Sequence, residues 1–124
     1  MKIEIHKSDE MGNVLRTLKN TVIRFREKTF CIRKGFESDG VSTPRFLWAS
    51  VSPAIDPRSI RGGVAHDYIY RVQPMGWTRG EADLMFFIFL VEDGLGIWNA
   101  LKAYVGVRLF GWIPWRKNRE NKEE

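Results

Sequence analysis

A chain of 124 residues, 44% hydrophobic and 28% charged, has the size and composition of one soluble globular domain with a single core. Its net charge of +5 favours anionic partners, but no nucleic-acid motif accompanies it, so specific nucleic-acid recognition is not expected. One cysteine excludes an intramolecular disulfide, residues 1–6 lack the apolar core of a signal peptide, and the longest apolar run, residues 84–91, falls far short of the ~20 residues that span a bilayer.

Residues 2–6 alternate polar and apolar side chains, as do 21–26 and 29–34, the period of two expected of half-buried strands. Glu27-Lys28 is short enough to close a hairpin between the last two, without the favoured Asn-Gly chemistry. Met11-Gly12-Asn13 marks a turn, and residues 14–18 suit a further short strand. Within this pattern Cys31 reads as a small core residue rather than a nucleophile. Then comes a loop, Gly35-Phe36-Glu37-Ser38-Asp39-Gly40-Val41-Ser42-Thr43-Pro44. Ser42 or Thr43 can cap a short helix carrying Phe46, Leu47 and Trp48, with Pro44 at its first position.

The rest reads as helical. Asp56 as cap and Pro57 at the first position open a helix to about residue 72. Gly62-Gly63 inside it cost about 1 kcal/mol each relative to alanine, which implies close approach of another backbone or side chain. Pro74 and Gly76 end it. Thr78 and Glu81 form a capping box for a helix to about residue 93. Gly94 and Gly96 stop that helix, and another spans about 97–109. Gly111 and Pro114 break the pattern before a charged tail that frays. The expected fold is therefore one α+β domain over residues 1–124. A small N-terminal antiparallel β-hairpin or meander (1–34) is followed by a loop and about four helices (35–115) and by the tail (116–124).

Chemistry concentrates at His66-Asp67, with Tyr70 four residues after the histidine and Asp83 in the next helix. His66 and Tyr70 share a helix face, and Asp67 points about 100° away, free to ligate a metal or pair with an arginine. A helical hairpin turning at 73–77 would bring Asp83 back towards His66, where a carboxylate fixes the ring tautomer. The same residues also make sense as a satisfied polar network joining two helices. The loop carrying Asp39 is either a turn with a helix cap or a source of oxygen ligands for a hard cation such as calcium. Zinc, serine-triad, dinucleotide and phosphate-loop motifs are absent. Near the C-terminus, Trp98, Tyr104 and Phe110 lie among Lys102 and Arg108, a mixture that suits a membrane or protein interface as well as plain packing. Trp112 and Trp115, flanked by breakers, are the candidate exposed anchors of such an interface.

Two resemblances add to this reading. The chain resembles a small family of uncharacterised proteins of tailed bacteriophages and prophages. The motifs are the loop 35–44, Ala65-His66-Asp67-Tyr68-Ile69-Tyr70-Arg71, Arg79-Gly80-Glu81-Ala82-Asp83, and Ala103-Tyr104 with Val107-Arg108 and Gly111. It implies a phage origin, synthesis in the host cytoplasm and a place in or near the virion, without a firm activity. More locally, His66-Asp67-x-x-Tyr70 with Asp83 and Phe86 resembles the helices of secreted and parvoviral phospholipases that cleave the sn-2 ester. By that resemblance His66 is the general base, Asp67 holds calcium with Asp39 as a substitute ligand, and Asp83 and Tyr70 orient the histidine. The phospholipases' glycine-rich calcium loop and disulfides have no counterpart here.

Three functions follow as expectations. The first is a metal-assisted hydrolase of phospholipid or another envelope ester. The second is a non-enzymatic virion component (tail, baseplate or assembly factor) that contacts other phage structural proteins. The third is a peptidoglycan-directed enzyme.

Overall fold

The period-two segments form strands in the computed structural model, which describes residues 3–8, 12–38 and 57–123. Strand β1 (Ile3–Ser8) pairs antiparallel with β2 (Gly12–Thr17), from Ile3 opposite Thr17 to Ser8 opposite Gly12. Strands β3 (Thr21–Phe25) and β4 (Lys28–Ile32) form a separate two-stranded hairpin. A two-residue β5 (Glu37–Ser38), inside the segment expected to be loop, adds to the far side of β2. The hairpin turns at Arg26-Glu27, and Arg26 takes φ 56°, the left-handed conformation more often given to glycine or asparagine.

Alternation along β3 and β4 buries Ile23, Phe25, Phe30 and Ile32 on one face. That register corrects the placement of Cys31: flanked by two inward residues and opposite Val22, it must face outward, and it is exposed. The inward face lies on the helices through aromatic contacts. Phe30 stacks on Tyr68 at 5.2 Å, and Phe25 and Phe30 both meet Trp77.

Four helices follow: α1 (Pro57–Val72), α2 (Arg79–Glu92), α3 (Ile97–Phe110) and α4 (Trp112–Glu123). The fold is thus α+β, with antiparallel strands at the N-terminus and four helices after them. Pro57 opens α1 where a missing N–H costs nothing. Thr78 caps α2 in a full capping box: its hydroxyl accepts from the Glu81 backbone N–H, and the Glu81 carboxylate accepts from the Thr78 N–H. The turn between α1 and α2 makes them an antiparallel hairpin, with Gly62 lying 3.4 Å from the Phe86 carbonyl and Leu90 if given a β-carbon. Arg61 clamps the far end, donating to both oxygens of Asp93 at 3.0 Å and lying 3.9 Å above the Phe89 ring.

The fraying tail expected after Trp115 is instead helix α4. Gly111 does not leave helical space (φ −66°, ψ −18°), and Pro114 falls in the first turn of α4, where helices tolerate proline. The short helix expected near residues 44–48 and the cap at Asp56 lie outside the described residues. No helix among the described residues is long and apolar enough to cross a membrane.

Candidate functional site

The antiparallel pairing of α1 and α2 sets His66 and Tyr70 of one helix against Asp83 of the other. Their i,i+4 spacing places the ring and the phenol on one face of α1, with centroids 4.2 Å apart. Both reach the same carboxylate oxygen. His66 Nε2 lies 2.7 Å from Asp83 Oδ1, and the Tyr70 hydroxyl donates to that atom at 2.6 Å. The other oxygen, Oδ2, accepts from Arg108 at 2.9 Å and Arg79 at 3.4 Å. Asp83 is 0% exposed, so it survives as a buried carboxylate only because these partners satisfy it.

Arg79 does more than pair with Asp83. Its guanidinium also donates to the carbonyls of Val107 at 3.0 Å and Arg108 at 3.4 Å. A cation therefore sits at the C-terminal end of α3, where the helix dipole favours positive charge, as a second donor to a Val107 carbonyl that already accepts from the Gly111 N–H. Burial, then the nearby Asp83 charge, holds the Tyr70 phenol above its ordinary ionisation range. Tyr70 is thus a neutral donor to the carboxylate.

A carboxylate accepts from Nε2 when that nitrogen carries the proton, which leaves the lone pair of a neutral His66 ring on Nδ1. Nδ1 is buried and has no hydrogen-bond partner among the described residues. The ring lies between Tyr70 and Phe86, and His66 as a whole is 1% exposed. A groove lined by described residues runs along α3.

Asp67 turns away from the His66 ring, as its neighbouring position on the helix requires. It is 5% exposed and pairs with Arg71 at 3.2 Å, one of the two roles expected for it. Arg71 also donates to the Glu37 carbonyl and lies over the Phe36 ring, which ties β5 to α1. Asp39, two residues beyond Glu37, lies outside the described residues. Calcium takes six to eight oxygen ligands. The described residues offer Asp67, already facing a guanidinium, and no group of three or more His, Cys, Asp or Glu side chains that could hold a metal ion. The described donors alone do not complete a calcium site.

Trp112 and Trp115 part company. Trp112 is exposed, as expected of an anchor. Trp115 turns inward and packs edge-on against Tyr70 at 5.1 Å, because α4 continues as helix and folds back along α1. Gln73, just past the end of α1 with φ 48°, fixes that return. Its amide donates to the carbonyls of Tyr70 at 3.1 Å and Trp115 at 2.8 Å and accepts from Arg119 at 3.0 Å. Sequence reasoning passed over Arg79, Arg108 and Gln73. For Arg79 a signal existed: it stands four residues before Asp83 on one helix. For Arg108, 25 residues downstream, only its recurrence in the Val107-Arg108 motif pointed to it.

Neither curated proteins nor solved structures yield a match to the chain. The sequence pattern of one family, described as a protein of unknown function (DUF1353), matches residues 16–107. That span holds His66, Asp67, Tyr70, Arg79 and Asp83 and stops one residue before Arg108. The chain belongs to the DUF1353 family.

Proposed function

We propose that this is a bacteriophage or prophage protein in which His66 acts as a general base in the hydrolysis of an ester of the bacterial envelope, a phospholipid first among them. The observation that carries the reading is the imidazole with one nitrogen fixed on Asp83 and the other, Nδ1, buried without a hydrogen-bond partner among the described residues. The order of the loop, His-Asp-x-x-Tyr and Arg-Gly-Glu-Ala-Asp motifs supports the phage setting. In the proposed reaction Nδ1 takes a proton from water as the water oxygen bonds to the ester carbonyl carbon. Asp83 faces the resulting imidazolium through Oδ1, while Arg79, Arg108 and Tyr70 hold the carboxylate still. The imidazolium returns its proton to the departing alkoxide as the C–O bond breaks, which regenerates the neutral ring.

The test uses purified full-length protein on anionic phospholipid vesicles, with calcium and with a chelator, beside His66→Asn. Fatty-acid release should fall on the order of a hundred-fold or more in the variant. Equal release by both proteins, or none by either, sinks the proposal.

The near-complete burial of His66 and Asp83 favours a second reading. Here the network is a structural joint between α1, α2 and α3 in a non-enzymatic virion component. Stoichiometric copies in purified particles, with infectivity kept in a folded His66→Asn variant, would support it.

A further inference from the structure

We propose that the outer face of α3, continued by the start of α4, docks on the surface of an anionic lipid bilayer. This deepens the envelope-ester reading by naming the surface on which that chemistry would occur, but binding itself requires nothing of His66.

Helix α3 is apolar on two sides. Ala100, Ala103 and Val107 bury one side in a cluster with Phe86 and Leu90 of α2. Trp98, Leu101, Val105 and Leu109 recur at spacings of three and four, so they line the opposite side, and all four are exposed. Trp98 is 74% exposed. Trp112 and Ile113, which follow Gly111 in the chain, are exposed as well. A groove of about 390 Å³ runs along this face. An apolar stripe of this length, left uncovered by the described residues, marks an interaction surface.

Charge identifies the partner. Residues 94–119 contain no aspartate or glutamate and five cations: Lys102, Arg108, Arg116, Lys117 and Arg119. Arg108 and Arg119 are turned to Asp83 and Gln73. Lys102, Arg116 and Lys117 are exposed, and Arg116 pairs with Glu120 at 3.3 Å. Lys102 flanks the apolar stripe and lines the groove. A second copy of the chain docked through a two-fold axis would set this patch against itself, cation facing cation. An anionic lipid surface complements it. The tryptophans suit the headgroup level, the aliphatic side chains enter the acyl boundary, and the lysines reach back to phosphate.

The experiment sediments the full-length chain with vesicles of phosphatidylcholine alone or mixed with phosphatidylglycerol. Sedimentation velocity without lipid runs beside it. Partitioning onto the anionic vesicles should exceed that onto neutral ones by about ten-fold or more, weaken with salt, and shift tryptophan emission to the blue. Leu109→Glu and Lys102→Glu should each weaken it on the order of ten-fold while leaving the circular dichroism unchanged, since both positions are exposed. His66→Asn should bind as the parent does, so loss of catalysis and loss of docking are read separately. No binding to either vesicle, or binding indifferent to Leu109→Glu, overturns the proposal. So does a dimer dissolved by Leu109→Glu, which would give this face to a second copy.

Discussion

Asp83 is the residue on which the centre of the molecule depends. His66 and Tyr70 meet one of its oxygens and two guanidinium groups meet the other. Asp83→Asn keeps the shape but removes the charge the arginines face. Because Arg79 and Arg108 are partly exposed, the expected loss is about 3 kcal/mol, the lower end for breaking a buried pair, measured by urea unfolding. A loss below about 1 kcal/mol would mean that the arginines simply rehydrate. Tyr70 gives an independent reading of the same centre. Its ionisation is pushed up, so its contribution to stability is complete below the ordinary value of 10.0 and is lost as pH rises beyond it. In an alkaline ultraviolet titration the folded protein should ionise one fewer of its three tyrosines than the unfolded chain does. Tyr70→Phe should abolish that difference and cost about 1–2 kcal/mol. A delayed phenol that persists in Tyr70→Phe would contradict the assignment.

At the scale of elements, the junction of α3 and α4 shows why a glycine can be demanded by space rather than by backbone freedom. Gly111 has ordinary helical angles, but a β-carbon there would sit 2.5 Å from the Tyr70 hydroxyl and closer still to the Val107 carbonyl. Gly111→Ala should therefore destabilise by about 1–3 kcal/mol through overpacking, although alanine is the better helix former. Removing the hydroxyl as well, in Gly111→Ala with Tyr70→Phe, should cost less than the two single changes added together. Strict additivity would place the clash elsewhere. The same junction marks the limit of what the sequence disclosed. Helices α1 to α3 were legible because caps and breakers bracket them: Pro57, the Thr78–Glu81 box, Gly94 and Gly96. Helix α4 was not, because Gly111 and Pro114 carry the residue types of a helix stop. Only the contacts with Tyr70 and the Val107 carbonyl reveal why one is there, and only its position in the first turn excuses the other. The meeting of His66, Tyr70 and Asp83 was legible from helical spacing plus a short turn. The arginines that complete the carboxylate were less so, since long cationic side chains give no periodic signal and Arg108 arrives from a third helix.

Across the whole molecule, the β3–β4 hairpin must hold to the helices through its buried face and its turn. The turn does this with one cation. Lys28 pairs with Glu81, donates to the Gly76 carbonyl and lies 5.1 Å from the centre of the Trp77 ring. It thereby joins the hairpin to the N-terminal cap of α2, the helix that carries Arg79 and Asp83. Nothing in the strand pattern announced this link: Lys28 shares the inward face of β4 with Phe30 and Ile32, and its charge finds Glu81 only when the layers stack. The hydrogen bond from Lys28 pulls the Glu81 carboxyl below its ordinary value of 4.5. A depressed carboxyl contributes stability that is present above 4.5 and is lost as pH falls through the lowered folded value. Both side chains are 35% exposed, so the pair is screened and is worth about 1 kcal/mol or less. Lys28→Met keeps the aliphatic stem over Trp77 and deletes the charge. Thermal unfolding of parent and variant should differ at neutral pH, and the two curves should converge as the pH drops below 4.5. The gap should also narrow with added salt. A gap of constant size from neutral to acid pH would show that Lys28 acts through its stem and the Gly76 carbonyl, leaving Glu81 to serve only as the cap of α2.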